Sequence, residues 1–339
     1  MVSHTEIEVA LSLSLPVIDV RSPGEFEKGH IPGAVNIPLF SDEERARVGT
    51  VYKQQSPEKA KELGYSFVLP KLEFFIEESL NVAPDKEVIV HCWRGGQRSQ
   101  AFAQHLSENG FGSVKVIEGG YKSFRRHVLE TFEKPYNLIV LGGFTGSGKT
   151  HILYELHRTG HQIIDLEGLA NHKGSAFGGI DQPHQSTTEQ FENDLFIEWQ
   201  KLDAEKPIWI EDESLDIGRV KIPYPLYQQM RDAIVYFIDI PQKERAKILV
   251  EDYADCDNAE LEAAIHRISK RLGGLNERIA IEELHKGNYY EVAMIALGYY
   301  DKGYLKGLNK REKDRVVTIP LETTDHRNNA KKLTEIIPL

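Results

Sequence analysis

The sequence predicts an α/β protein: two parallel-sheet domains, residues 1–134 and 135–255, and a mostly helical part, 256–339, that completes the second. Three observations predict this. Short β-branched runs alternate with segments of helical periodicity, the pattern of parallel sheets covered by helices. Two strands run directly into glycine-rich loops and then into helices, at Val88–Gln104 and Asn137–Arg158. Beyond Asn258, Leu261, Ala264, Ile265, Ile268 and Leu272 recur at helical spacing and read as a core stripe.

In the first domain, Pro16–Arg21 is a β-branched strand, broken by Ser22-Pro23 and followed by a short helix through Phe26. Gly29–Leu39 is rich in turns, with a brief strand at Ala34–Ile37. Ser41–Pro70 is polar and interrupted, with helical patches at Asp42–Val48 and Pro57–Leu63, and Leu72–Leu80 reads as a helix. Val88–Val90 is a buried strand, and the helix from Gln97 turns Ala101, Phe102 and Leu106 inward.

Between that strand and helix lie Cys92, Arg94, Gly95, Gly96, Gln97, Arg98 and Ser99. Glycines let backbone N–H groups turn inward, and the helix contributes its positive end. Such a cradle stabilises a thiolate or an anion bound at the sulfur, with Arg94 and Arg98 as counter-charges. A thiol of pKa ~8.5 is only ~3% ionised at pH 7, so a cradle of this kind changes its chemistry. Asp19 and Arg21 read as scaffold charges that buttress the loop. Tyr121–Glu133 is a further helix, ending at Lys134-Pro135.

The second domain opens with the strand Asn137–Leu141 and then GGFTGSGKT. Gly143, Gly148, Lys149 and Thr150 satisfy the eight-residue phosphate-loop pattern, in the required place before the helix Thr150–Arg158. Backbone N–H groups of Gly143, Thr145, Gly146, Ser147 and Gly148 would cradle a diphosphate. Lys149 would balance its charge, and Thr150 would meet Mg²⁺. Further strands are expected at Gln162–Leu166, Pro207–Ile210 and Ala233–Ile240. The third of these is followed by the helix Gln242–Asp252. The strand Pro207–Ile210 ends in Glu211, Asp212 and Glu213, a carboxylate source near the metal, with Asp212 taken as the partner of Thr150. Which of the three points inward is not decided by the sequence. His172–Gly179, with Lys173, Ser175 and Phe177, is too glycine-rich for a helix and reads as a loop over the phosphate site.

The chain carries a net charge of −11, which argues against indiscriminate nucleic-acid binding. Residues 266–315 run the other way, with eleven Lys or Arg against seven Asp or Glu. Tyr289, Tyr290, Tyr299, Tyr300 and Tyr304 are interleaved there with Lys306, Lys310 and Arg311, a candidate RNA face. Val316–Pro320 and Arg327–Ile337 are a last strand and helix. Only Cys92 and Cys256 are present, so no disulfide framework is expected, and Cys256 lies inert among acids. With no secretory pattern and no bilayer-spanning run, the expected location is the cytoplasm, with no membrane partner.

Asp19-Val20-Arg21, Gly29–Ala34, the Cys92 loop and Ile117–Tyr121 occur in the order seen in rhodanese domains, so the first domain resembles a rhodanese. One departure is the spacing: Cys92 and Arg98 enclose five residues, one more than the usual sulfurtransferase loop. That spacing also matches cysteine-dependent phosphatases. The CWRGGQRS loop, fused to a domain with GGFTGSGKT, HKGSAFGG and IEDES, resembles the tRNA 2-selenouridine synthases over the whole chain. The resemblance implies a transferase acting on tRNA with a 2-thiolated wobble uridine, in the Lys, Glu and Gln acceptors. It implies geranyl diphosphate and selenophosphate as substrates, an S-geranyl intermediate, no tightly bound cofactor, and a selenophosphate supplier as partner. Rival readings are a sulfurtransferase fused to an ATP-dependent small-molecule kinase, a cysteine phosphatase, and a non-catalytic sensor.

Overall fold

The computed structural model describes residues 1–337. Cα packing divides the chain into two compact units: Met1–Thr131 with Glu192–Asp194, and Phe132–Phe191 with Leu195 onward. No separate unit begins at 256; the extension belongs to the second unit, and its last two residues lie outside the described residues.

The first unit holds a five-stranded sheet of order β1-β5-β4-β2-β3: β1 Val2–Thr5, β2 Val17–Asp19, β3 Val35–Asn36, β4 Glu87–His91 and β5 Ser113–Ile117. Every pairing is parallel. β4 is central, and Val88, Ile89 and Val90 are fully buried, as its unbroken apolar run requires. The sequence reading did not include β1, a short edge strand with little apolar content. The segment Ser41–Pro70 is more regular than expected. It forms the helices Asp42–Gln54 and Pro57–Val68, capped by Ser41 and Ser56, whose side chains accept N–H bonds from Glu44 and Lys59.

The second sheet has the order β12-β11-β6-β8-β7, again all parallel: β6 Leu138–Gly143, β7 Gln162–Ile164, β8 Ile208–Glu211, β11 Val235–Asp239 and β12 Val316–Pro320. A small hairpin, β9 Asp216–Ile217 with β10 Val220–Lys221, stands apart. β7 is shorter than expected because Asp165 leaves the strand to cap the helix Leu166–Leu169. The helix Lys149–Arg158 buries Ile152, Leu153 and Leu156 against the sheet and against Leu333 of the last helix. Each fully buried leucine contributes about 1.5–3 kcal/mol.

The extension opens with three helices, Asn258–Leu272, Gly274–His285 and Tyr289–Leu308, before β12 and the last helix, His326–Ile336. Gly273 and Gly287 separate them at φ +90 and +76, where a side chain would be strained. Leu261, Ala264, Ile265, Ile268 and Leu272 do face a shared core, joined by Leu284, Val292, Ala296 and Phe177.

Candidate active site

Each unit presents one anion cradle at the C-terminal end of a central strand, where parallel sheets place their sites. In the first unit, Cys92 follows β4 and is buried. Gly95 has φ +63, and a Cβ there would lie 2.3 Å from the Ile117 carbonyl oxygen. A Cβ on Gly120 would lie 2.3 Å from the Cys92 carbonyl oxygen. The Tyr121 and Lys122 N–H groups donate to the Cys92 and Trp93 carbonyls at 2.9 Å, so the Ile117–Tyr121 segment holds the loop from behind.

The Cys92 Sγ lies 3.3 Å from the Ser99 hydroxyl. Burial pushes this thiol up, but the Ser99 hydroxyl, the Arg98 charge and the Arg94 and Ser99 N–H groups outweigh it and hold the thiol below its ordinary value. Arg98 is held by Glu25 at 2.9 Å, a tether from a remote helix. Arg94 and Gln97 are exposed at the mouth, and Gly95 and Gly96 are half-buried. The Asp19–Arg21 pair is fully buried, at 2.6 Å. Arg21 also donates to the Gly29 carbonyl and stands 3.8 Å from the Tyr121 ring centre. It ties three of the four recognised segments into one scaffold.

In the second unit, Gly146 and Gly148 take φ +75 and +71, and the loop wraps a cavity of about 950 Å³ lined by Gly143 and by Thr145–Thr150. Lys149 Nζ donates to the Gly143 carbonyl at 3.3 Å. The Ser147 hydroxyl is buried and has no partner among the described residues.

Thr150 donates to Glu211 at 2.7 Å and to Glu167 at 3.1 Å. Glu211 also accepts the Leu166 N–H at 3.0 Å. Burial, followed by Glu167, Asp165 and Glu213, pushes the Glu211 carboxyl well above its ordinary range. Burial and Glu167 push Glu213 up to about 8. Burial pushes Lys149 down, but Glu167, Glu213, Glu211 and Asp212 outweigh it and raise the ammonium above its usual value. The crowded carboxylates leave the site short of positive charge.

That donor set fits Mg²⁺, which takes one or two carboxylates together with substrate phosphate oxygens. Among the described residues, no group of three or more His, Cys, Asp or Glu side chains is arranged to hold a metal by itself. Thr150 and Glu211 stand together, whereas Asp212 does not meet Thr150. Asp212 is held by Arg311 at 2.7 Å, Arg231 at 3.1 Å and the Tyr304 hydroxyl at 2.9 Å. The alternation of side chains along an extended strand end separates Glu211 from Asp212. Tyr304 in turn accepts the Gly143 N–H at 3.1 Å, so Asp212 braces the phosphate loop from outside it.

Lys173 and Ser175 line the cavity. Lys173 lies 3.5 Å from Asp252, and Ala176 donates its N–H to Tyr300 at 3.0 Å. Phe177 does not line this cavity; it lines a small apolar recess with Leu261, Leu284, Val292, Ala293 and Ala296. The recess shares Thr145, Ser175, Leu249, Tyr253 and Tyr300 with the cavity, so it opens beside the phosphate loop.

The proposed RNA face is narrower than its composition implied. Arg311 is buried, donating to the Met230, Arg231 and Ala233 carbonyls as well as to Asp212. Tyr300 and Tyr304 are engaged in the interior contacts above. Sequence reasoning missed Glu167, Arg231 and the recess, and it assigned Tyr304 to the RNA face, whereas Tyr304 bonds Gly143 and Asp212 at the phosphate loop. A signal for Glu167 was its place just past a strand, at the site end of a parallel sheet.

Fold and loops together define a rhodanese-like domain with a buried cysteine in its glycine-rich loop, followed by a phosphate-loop domain. Residues 5–127 match the rhodanese-like domain family, and residues 136–328 match the family described as tRNA 2-selenouridine synthase AAA domain. The chain belongs to the tRNA 2-selenouridine synthase family. It is similar to a tRNA 2-selenouridine synthase of Nitrosomonas europaea, 40% identical over 246 residues, 70% of this chain and 63% of that protein. It is 32% identical to that of Nitrosomonas eutropha, over 92% of this chain and 93% of the other. With that of Sulfurovum sp. it shares 37% identity, over 85% and 87%.

Proposed function

We propose that this protein converts the wobble 2-thiouridine of tRNA into 2-selenouridine through an S-geranyl-2-thiouridine intermediate. The tRNA reading is supported by the name its relatives carry. The observation that carries the two-step reading is the apolar recess opening beside the phosphate loop. A geranyl diphosphate would set its phosphates on the loop and the start of its chain against Leu249, Tyr253 and Tyr300, which line both the cavity and the recess.

In the first step, the C1–O bond to diphosphate breaks as a sulfur lone pair of the thiouridine forms the S–C1 bond, and the base N3 proton departs. Lys149 and the loop N–H groups take the charge that develops on the leaving diphosphate. Mg²⁺ held by Thr150 and Glu211 would supply further positive charge there. In the second step, the anionic selenium of selenophosphate attacks C2, geranyl thiolate leaves, and water takes the phosphoryl group as phosphate. The Cys92, Arg94 and Arg98 cradle suits that anion. The test is incubation of purified protein with a 2-thiolated tRNA and geranyl diphosphate, then selenophosphate, with nucleosides read by mass spectrometry. S-geranyl product followed by 2-selenouridine is expected. ATP hydrolysis without S-geranyl product would favour the kinase alternative.

A further inference from the structure

Resting on the tRNA reading, we propose that Trp93 is the platform on which the nucleobase under conversion stacks while the Cys92 cradle acts on it, with Lys122 as the contact for a neighbouring backbone phosphate. The ligand class is an unpaired nucleotide in an RNA loop. Trp93 directly follows Cys92, so their Cα atoms stand about 3.8 Å apart. Of the three tryptophans, Trp199 and Trp209 are 4% and 0% exposed, whereas Trp93 is 36% exposed. A single exposed apolar side chain is ordinary. What marks this one is its place, at the mouth of an anion cradle and next to a buried thiol.

Trp93 is held at its backbone and at its ring. Its carbonyl accepts the Lys122 N–H at 2.9 Å, which fixes the backbone that carries the ring. The ring leans on the fully buried Tyr121, with centroids 5.7 Å apart and planes at 48°. Tyr121 is pinned in turn by Arg21, 3.8 Å from its centre. An aromatic surface that is braced by one neighbour and still exposed suits a flat guest, because little freedom is lost when the guest arrives. Unpaired RNA bases are bound in this way, stacked on aromatic rings. The surrounding charge agrees with that guest. Arg94 and Lys122 are exposed and make no ion pair among the described residues. Arg126, one turn beyond Lys122 on the helix Gly120–Glu133, is exposed as well. Arg94 serves the anion cradle, which leaves Lys122 for the RNA backbone. A ring that stacks a base and a cation that meets a phosphate are the two elements of a single-strand site. Stacking on Trp93 brings the base beside the Cys92 loop without requiring the cradle itself to grip it.

The experiment gives the full chain selenophosphate and a tRNA geranylated beforehand at its wobble sulfur, and follows 2-selenouridine by mass spectrometry. Trp93→Leu should lower kcat/KM about 5- to 150-fold, the equivalent of roughly 1–3 kcal/mol per stacked base, and mainly through KM. Trp93→Phe should keep most of the activity. Leucine and phenylalanine both cover Tyr121, but only phenylalanine offers an aromatic face. The pH midpoint of Cys92 alkylation should be the same in both variants, which shows that the cradle is intact. Without selenophosphate, the tRNA should quench the emission of the unaltered protein and leave that of Trp93→Phe unmoved, since Trp199 and Trp209 are buried. Lys122→Ala should flatten the salt slope of tRNA binding by about 0.7, and an unchanged slope would remove Lys122 from the site. Selenium incorporation by the unaltered protein, with Trp93→Leu as active as Trp93→Phe or with emission unmoved by tRNA, would overturn the platform alone and assign the exposed ring to a protein partner. Unaltered protein that puts no selenium into the geranylated tRNA would overturn the selenouridine reading and the platform with it.

Discussion

Replacing Lys149 by alanine tests the phosphate loop most directly. Its ammonium is the one positive side chain set inside the loop, 3.3 Å from the Gly143 carbonyl and facing Glu167, Glu211 and Glu213. Two unit charges 4 Å apart at an effective dielectric of 20 interact by about 4 kcal/mol, before desolvation is counted. Measured charged hydrogen bonds come to about 1.5–3 kcal/mol, which is roughly 10- to 150-fold in kcat/KM. The expected result is weakened pyrophosphate binding by calorimetry and loss of S-geranyl nucleoside in proportion. A folded Lys149→Ala protein with unchanged geranylation kinetics would refute the assignment, and ATP would then be the first ligand to test.

Three further outcomes are expected. Cys92→Ala should abolish selenium incorporation while S-geranyl product still forms, since the two cradles lie in different units; equal loss of both steps would contradict that division. Alkylation of Cys92 by iodoacetamide should rise with pH through a midpoint below the ordinary thiol value of ~8.5. Ser99→Ala should move that midpoint upward, because a hydroxyl donating to the sulfur favours the charged form. Lys306→Glu with Lys310→Glu should weaken tRNA binding and flatten its salt slope by about two. Arg311→Glu should instead lower the melting temperature, since it breaks a buried pair that contributes about 3–5 kcal/mol when one partner is removed.

What was legible in the sequence and what was not divide along a physical line. Cys92–Ser99 and Gly143–Thr150 could be read because each cradle is contiguous, and glycine spacing reports backbone geometry directly. Their supports come from elsewhere. Glu25 reaches Arg98 across 73 residues, and Glu167 reaches Thr150 from the end of β7, two strands away from β6. Such partners are delivered by strand order, which local pattern does not encode. The choice between Glu211 and Asp212 turned on which way one strand end faces, and a shift of one residue reverses that answer. Arg311 was misjudged for a related reason: composition counts a charge but not the carboxylate that buries it.

The recess shows the deepest gap. Helical periodicity identified Leu261, Ala264 and Ile265 as core, and the core is real. Periodicity reports which side chains face inward, yet it is silent on whether they meet. Ala293 and Ala296 are inward-facing alanines by any pattern, and in a filled core they would be packing residues and nothing more. Both do pack in cores, Ala296 with Leu261 and Leu284 and Ala293 with Ala246 and Leu297, yet both also line the small recess beside the phosphate loop. Three-helix packing decides that placement, so two packing residues come to stand beside a phosphate loop without any signal of it in their local sequence.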